Sequence, residues 1–291
     1  MANISDIRFH ISSIKQTRQI TNAMYLISAS RMRKAMGGIE QNRAYFSRAL
    51  DIMRDIREHT DFQHPYLTHR AGDKTAFVII AGEKGLSGSY NRDILTFAEQ
   101  RIRESNATFL YTVGNMATNY FRRRSKEVHE NFAHIAEEPG IDTTRRMVTN
   151  IMELYDAGKI DELRVIYTHF INPILHRPRE MKLLPILLDS FGISHPPKDF
   201  GEEMFYEPLP AQVFSAMVPQ FIIGYLYGAL VHSYASENCA RMMAMESATK
   251  NADEVLEKLT RQYHSARQLA ITNEISEIVG SSAAFEEELP T

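Results

Sequence analysis

Cysteine is nearly absent: Cys239 is the only one in 291 residues, so no internal disulfide can form, and the usage fits a reducing compartment. Long apolar runs are missing as well. The longest, Phe221 to Val231, is 11 residues, short of the ~20 that a membrane-spanning helix needs. The start, MANISDIRFHIS, has no charged segment followed by an apolar one, so no secretory signal is read there. Neither charge sign dominates; a net charge of −3 argues against a protein that binds nucleic acid through its whole surface. With 24% charged and 44% hydrophobic residues, the composition predicts one or two soluble or membrane-peripheral domains.

Proline and glycine are missing from one long stretch. Between Pro219 and Phe285 there is no further proline, and between Ala229 and Val279 there is no glycine. As one helix these 67 residues would be ~100 Å long at ~1.5 Å per residue, far beyond the usual ~8–20 residues. Such a rod needs a partner helix or a tunnel. Pro219 would suit its first turn, after a short helix from Ala211 to Val218. Small and apolar residues at Ala248, Ala252, Val255, Leu259, Tyr263, Ala266 and Ala270 mark a seam along it.

The amino-terminal stretch offers the partner. Asn3 or Ser5 can cap a helix whose Ile4, Ile7, Ile11 and Ile14 repeat at coiled-coil spacing. The seam continues through Thr21, Met24, Ser28, Met32 and Ala35, then Tyr45, Phe46, Leu50, Met53 and Ile56. The reading is one helix over 3–59, bent at Gly37-Gly38 and ended by His64-Pro65. Residues 1–36 hold six bases and one acid, whereas 209–291 hold five bases and ten acids. Opposite charge favours an antiparallel pair; two independently solvated faces are the plainer alternative. Pairing around Met24 and Met242 would leave Ile271, Ile275, Ile278 and Val279 on a single helix needing a socket.

The middle alternates. KTAFVIIA (Lys74–Ala81), Ala107–Val113 and Leu163–Phe170 read as buried strands, with Met181–Leu188 as an edge strand. Arg92–Glu104, MATNYFRRR and Thr143–Ala157 read as helices. Phe205-Tyr206-Glu207-Pro208 would end a strand, and 192–201 would be a loop. This predicts a mostly parallel α/β domain over 74–200.

Its chemical candidates read as structure. Gly82, Gly85 and Gly88 follow a strand where a phosphate loop would sit, but GxxGxxG is neither a dinucleotide fingerprint nor a P-loop. His59, His64 and His69 lack helical metal-pair spacing. Arg122-Arg123-Arg124 reads as a solvated helix end, and Cys239 as packed. No nucleophile–base or carboxylate pair stands out. No metal or cofactor is expected.

IRFHISSIKQTRQITNAMYLISASRMRKAM resembles the amino-terminal helix of the gamma subunits of F-type ATP synthases. ASENCARMMAMESATKNADEVLEKLTRQYHSARQLAITNEISEIVGSSAA resembles their carboxyl-terminal helix. GLSGSYN and FYEPLP match further family segments, so the resemblance covers essentially the whole chain. The fold it implies is α/β plus a long antiparallel coiled coil of the N- and C-terminal helices, with a Rossmann-like α/β domain inserted between them. The expected domains are 1–60 (N-terminal helix), 61–208 (foot domain with linkers) and 209–291 (C-terminal helix and tip).

The resemblance implies a central rotor stalk, not itself an enzyme. It would couple ion flow through the membrane c ring to ATP synthesis or hydrolysis at the beta subunits. Implied partners are the alpha–beta ring, the epsilon subunit and the c ring, at the cytoplasmic face of a bacterial inner membrane. Met24, Arg33, Lys34, Arg241, Arg267, Gln268, Thr272, Glu274 and Glu277 match family positions that contact or couple to beta. Tyr206 and Glu207 match the part of the foot facing the c ring and epsilon. Departures include Asn22 where the family has Lys, Tyr25-Leu26-Ile27-Ser28, the AGEKGLSGSYN loop and an EEELPT tail. They leave open a divergent paralogue in a proton- or sodium-coupled machine. The residues alone also admit a small-molecule-binding α/β protein with a coiled-coil dimerisation arm, or a coiled-coil scaffold.

Overall fold

β1 (Thr75–Ile80) is buried at every position, as a β-branched run covered on both faces should be. It is the middle strand of a five-stranded sheet ordered β3-β2-β1-β4-β5. The computed structural model describes residues 4–59, 64–70, 72, 74–105, 107–132, 134–191 and 206–287. β2 is Ala107–Val113, β3 Glu130–Phe132, β4 Glu162–Phe170 and β5 His176–Leu184. β1 pairs in parallel with β2 and β4, and β2 with β3; β5 runs antiparallel to β4. The edge strand therefore begins at His176, earlier than the expected Met181. Pro178 and the exposed Arg177 and Arg179 lie on it, features that discourage further strand pairing.

Among the described residues five α-helices accompany the sheet: α1 (Ile4–His59), α2 (Tyr90–Arg103), α3 (Asn115–Arg122), α4 (Ile141–Asp156) and α5 (Pro210–Glu287). The chain forms two compact units, residues 28–242 and residues 1–27 with 243–291.

In the first unit, α1 and α5 share one face of the sheet with α4. Leu50, Met53 and Ile56 of α1 and Phe214, Phe221 and Leu226 of α5 pack with Met147, Ile151, Val78 and Val165. α2 and α3 cover the other face, where Ile94, Leu95, Ala117 and Phe121 meet Phe77 and Ile79. Gly228 allows α1 and α5 to approach closely: a Cβ there would lie 2.4 Å from Asn42 Nδ2. An 18-residue window of α5 is apolar enough to cross a membrane (mean hydropathy 1.5), but 56% of it is buried in the protein, as a core helix would be.

Two expectations change here. α1 does not break at Gly37-Gly38. Nor does the long helix start at Pro219; it starts at Pro210 and runs 78 residues through that proline. Pro219 removes one ladder hydrogen bond and costs ~3 kcal/mol. Around it Phe214, Val218, Phe221 and Ile222 are at most 1% exposed, and burying each such side chain contributes ~1.5–3 kcal/mol. Packing outweighs the broken bond. No strand ends at Tyr206-Glu207, and Asn3, the 192–201 loop and Phe205 lie outside the described residues.

The second unit is an antiparallel pair of α1 and α5. Arg8 Nη2 donates to the Tyr263 hydroxyl at 3.0 Å, Arg18 pairs with Asp253, and the Thr21 and Thr249 hydroxyls bond at 2.8 Å. This register sets Thr21 against Thr249, so the segments overlap further than pairing Met24 with Met242 would give. Ile7, Thr21, Met245 and Ala252 are buried. Val255, expected in the seam, is 42% exposed, and Leu256 is half-buried in its place.

Candidate functional site

Among the described residues no reactive constellation dominates either unit, so the site is built from surfaces and from the side chains that fix them. In the helix pair, Met24 is half-buried. Arg267, Gln268, Thr272, Glu274 and Glu277 are all exposed, and Thr272 Oγ1 donates back to the Gln268 carbonyl at 2.9 Å. Every residue from 271 to 279 is exposed. Ile271, Ile275, Ile278 and Val279 among them range from 44% to 68%.

In the other unit, Arg33 and Lys34 are exposed on α1 and form no ion pair among the described residues. Arg241 is different. Its guanidinium side chain is only 12% exposed, donating to Glu237 Oε1 at 2.5 Å and to the Gly85 carbonyl at 3.3 Å. Burial pushes the Glu237 carboxyl above its usual range, against the opposing pull of Arg241. Arg241 therefore ties α5 to the glycine loop rather than standing free.

That loop is held by groups that sequence reasoning did not single out. The Gly82 amide donates to Asn91 Oδ1 at 2.9 Å, and Asn91 Nδ2 returns to the Lys84 carbonyl and Ser87 Oγ, both at 3.2 Å. Glu83 receives the Asn115 amide at 3.1 Å and also the Asn115 side chain. A carboxylate at the first residue of α3 complements the helix dipole. Gly114, just before it, has φ +89°, and a Cβ there would lie 2.4 Å from the Ala81 carbonyl oxygen. The Gly82 and Asn115 amides are thus spent within the protein, as a structural turn requires. The local signal was the Asn91 side chain in GLSGSYN; its partners follow only from the fold.

Tyr206 is half-buried and donates its hydroxyl to Asp55 of α1, while Glu207 is exposed. Burial, then the Asp55 carboxylate, push the Tyr206 phenol up. Glu207 borders an open groove of about 560 Å³ with Tyr45, Pro208, Met217 and Phe221.

The other described candidates bond or pack within the protein or lie exposed. His64 Nε2 lies 2.7 Å from Ser215 Oγ on α5, while His69 is exposed; the His59 side chain lies outside the described residues. Cys239 is buried with Sγ 3.1 Å from the Pro173 carbonyl. Arg124 lies 3.7 Å over the Tyr120 ring and pairs with Glu99 at 3.4 Å; Arg122 and Arg123 are exposed. Among the described residues no three His, Cys, Asp or Glu side chains cluster to hold a metal ion.

The ATP synthase family model matches residues 3–285. The chain belongs to the ATP synthase gamma chain family. It is 37% identical to the gamma chain of Ruminiclostridium cellulolyticum, covering 98% of this chain and 99% of that one. It is also 37% identical to that of Acetivibrio thermocellus, covering 98% and 100%. The sodium ion specific gamma chain of Acetobacterium woodii is 35% identical, with 97% and 99% covered. Among solved structures, a chain of the Euglena gracilis mitochondrial ATP synthase shares the fold at TM-score 0.69 and 15% identity, covering 99% of this chain and 97% of that one. One from the Tetrahymena thermophila mitochondrial ATP synthase central stalk and c ring does so at 0.59 and 23%, covering 79% and 99%.

Proposed function

We propose that this chain is the central rotor stalk of an F-type ATP synthase, turning with the c ring and driving the catalytic beta subunits without catalysing chemistry itself. One observation carries the reading: a 78-residue helix, antiparallel to a second helix, carries a stretch of exposed isoleucines and polar groups over 271–279. Length and asymmetry would transmit torque; a reactive side chain is not needed. Family membership supplies the machine.

Within it, Met24, Arg33, Lys34, Arg267, Gln268, Thr272, Glu274 and Glu277 would meet the beta subunits of the alpha–beta ring. Exposed polar groups suit a moving contact, since exposed ion pairs are worth only ~0–1 kcal/mol and can break and reform. Arg241 would act through the loop it anchors. Tyr206 and Glu207 would face the c ring and epsilon, Tyr206 being oriented by Asp55. Functionally the chain divides into helix 1–60, foot 61–208 and helix with tip 209–291. The complex is membrane-associated, and we assign this chain to the cytoplasmic face of a bacterial inner membrane.

Co-expression with candidate alpha, beta and epsilon subunits tests this. Co-purification as one complex with ATPase activity is expected; a chain that assembles with none of them would sink the stalk reading.

A further inference from the structure

A pair of imidazoles sits where α5 docks on β4, apart from the glycine loop and the exposed helix surfaces. His169 on β4 and His232 on α5 face each other with ring centroids 4.4 Å apart and planes inclined at 32°. The Tyr167 ring lies 6.1 Å from the first and 6.3 Å from the second. Nδ1 of each histidine is buried without a hydrogen-bond partner. The seat is otherwise polar: Thr168 donates its amide to Ser233 Oγ at 3.2 Å, and Ser236 Oγ, 2.9 Å from the His232 carbonyl, lies 3.4 Å from the Thr168 carbonyl.

The titratable and charged groups around the pair come from three strands and helices. β4 supplies Tyr167, α5 supplies Tyr225, whose hydroxyl is 3.3 Å from that of Tyr167, and β5 supplies Arg179 opposite Tyr167 and Arg177 opposite His169. The groups acting on the two rings include the Arg179 cation and no carboxylate.

We propose that His169 and His232 form an acid-sensitive clasp that seats α5 on β4 only while both imidazoles are neutral. Two neutral rings can stack. An imidazolium would instead meet a second imidazole and a guanidinium, in a site with little water to solvate it. Burial, reinforced by His169 and Arg179 and only partly offset by the Phe170 backbone, pushes His232 down to about 4, and burial followed by Arg179 lowers His169.

Once unseated, both rings titrate near ~6.5. Above that pH both states are neutral and the clasp carries no penalty. As pH falls from ~6.5 toward 4, the unseated state takes up a proton that the seated state refuses. The seat then weakens by roughly tenfold per pH unit for each histidine so affected. The consequence for torque rests on α5 being the shaft helix; the clasp itself does not.

Amide hydrogen exchange of the full chain at about pH 7 and about pH 5, corrected for intrinsic rates, reads the seat. Protection over 162–170 and 229–238 should fall by roughly tenfold or more relative to β1. His232→Phe keeps an aromatic ring without a titrating proton and should flatten that response. Unchanged protection in the native chain, or a native pH response in the Phe variant, would overturn the clasp. Imidazole NMR titration of the native chain decides the matter if the variant does not fold. His232 staying neutral to pH 5 supports the proposal, and a midpoint near 6.5 overturns it. Failure to assemble with partner subunits would count against the stalk and leave these readouts intact.

Discussion

The Arg241 guanidinium and the Glu237 carboxylate, one turn apart on α5, form a nearly buried ion pair whose cation also grips the Gly85 carbonyl. Both side chains are at most 12% exposed, so each needs the other. Removing one partner of such a pair leaves an uncompensated buried charge, at a cost of ~3–5 kcal/mol. Arg241→Ala should therefore lower stability by about that amount in chemical denaturation of the full chain. Glu237→Gln in the same background should recover part of the loss, because it deletes the stranded charge. A loss below ~1 kcal/mol for Arg241→Ala would mean that the pair is solvated in solution.

Gly114 gives a backbone test. Its φ of +89° is one that L side chains rarely adopt, and an added methyl would lie 2.4 Å from the Ala81 carbonyl oxygen, a backbone atom that cannot swing aside. Gly114→Ala should cost more than the ~1–3 kcal/mol of backbone strain alone, read as a lower denaturation midpoint. Gly85→Ala, with open space at its Cβ and no positive φ, is the control and should stay close to the native midpoint.

The legible parts of the fold were those fixed by local pattern. KTAFVIIA reads as a central strand because a strand covered on both faces needs no alternation. β3 did not, because three half-buried residues, Glu130 to Phe132, carry no period. Pro219 misled because tertiary packing of Phe214, Val218, Phe221 and Ile222 overrides the proline's local cost. The exchange of Val255 for Leu256 in the seam reflects the drift of a 3.6-residue helix against a 3.5-residue repeat. At the candidate site, the exposed isoleucines of the tip were readable once a partner helix of limited length was inferred. The bond from Asn115 to Glu83 was not, since those residues are far apart in sequence and only the sheet brings them together.

Glu162 supplies a pH prediction of defined sign. Burial would raise its carboxyl, but Lys182 and Arg164 outweigh burial and hold it below the usual Glu range. Arg164 donates to it at 2.7 Å and to Glu180 at 2.8 Å, joining β4 to β5. A carboxylate with a depressed folded pKa contributes stability above its unfolded value, ~4.3, and loses it as pH falls through the folded one. Stability of the native chain should therefore drop below about pH 4.5, and Glu162→Gln should be less stable at pH 7 while showing a shallower acid decline. Parallel acid slopes for the two proteins would show that Glu162 is not the group responsible.

Deleting residues 271–291 separates folding from coupling. Residues 271–279 are exposed throughout, and solvated side chains add little to stability. Among the described residues the sheet core draws on side chains from Phe46 to Leu230, none of them in the deleted stretch. The truncated chain should therefore keep its circular dichroism and stay within ~0.5 kcal/mol of the native denaturation free energy. In an assembled ATP synthase the same truncation should reduce coupled ATP synthesis severalfold, because four exposed apolar side chains, Ile271, Ile275, Ile278 and Val279, would lose their bearing. Ile275→Glu is the milder version, adding a charge where the stalk reading requires an apolar fit. Full coupling by both variants would mean that the exposed end bears no torque. An unfolded sheet in the truncated chain would mean instead that the helix end supports the α/β core.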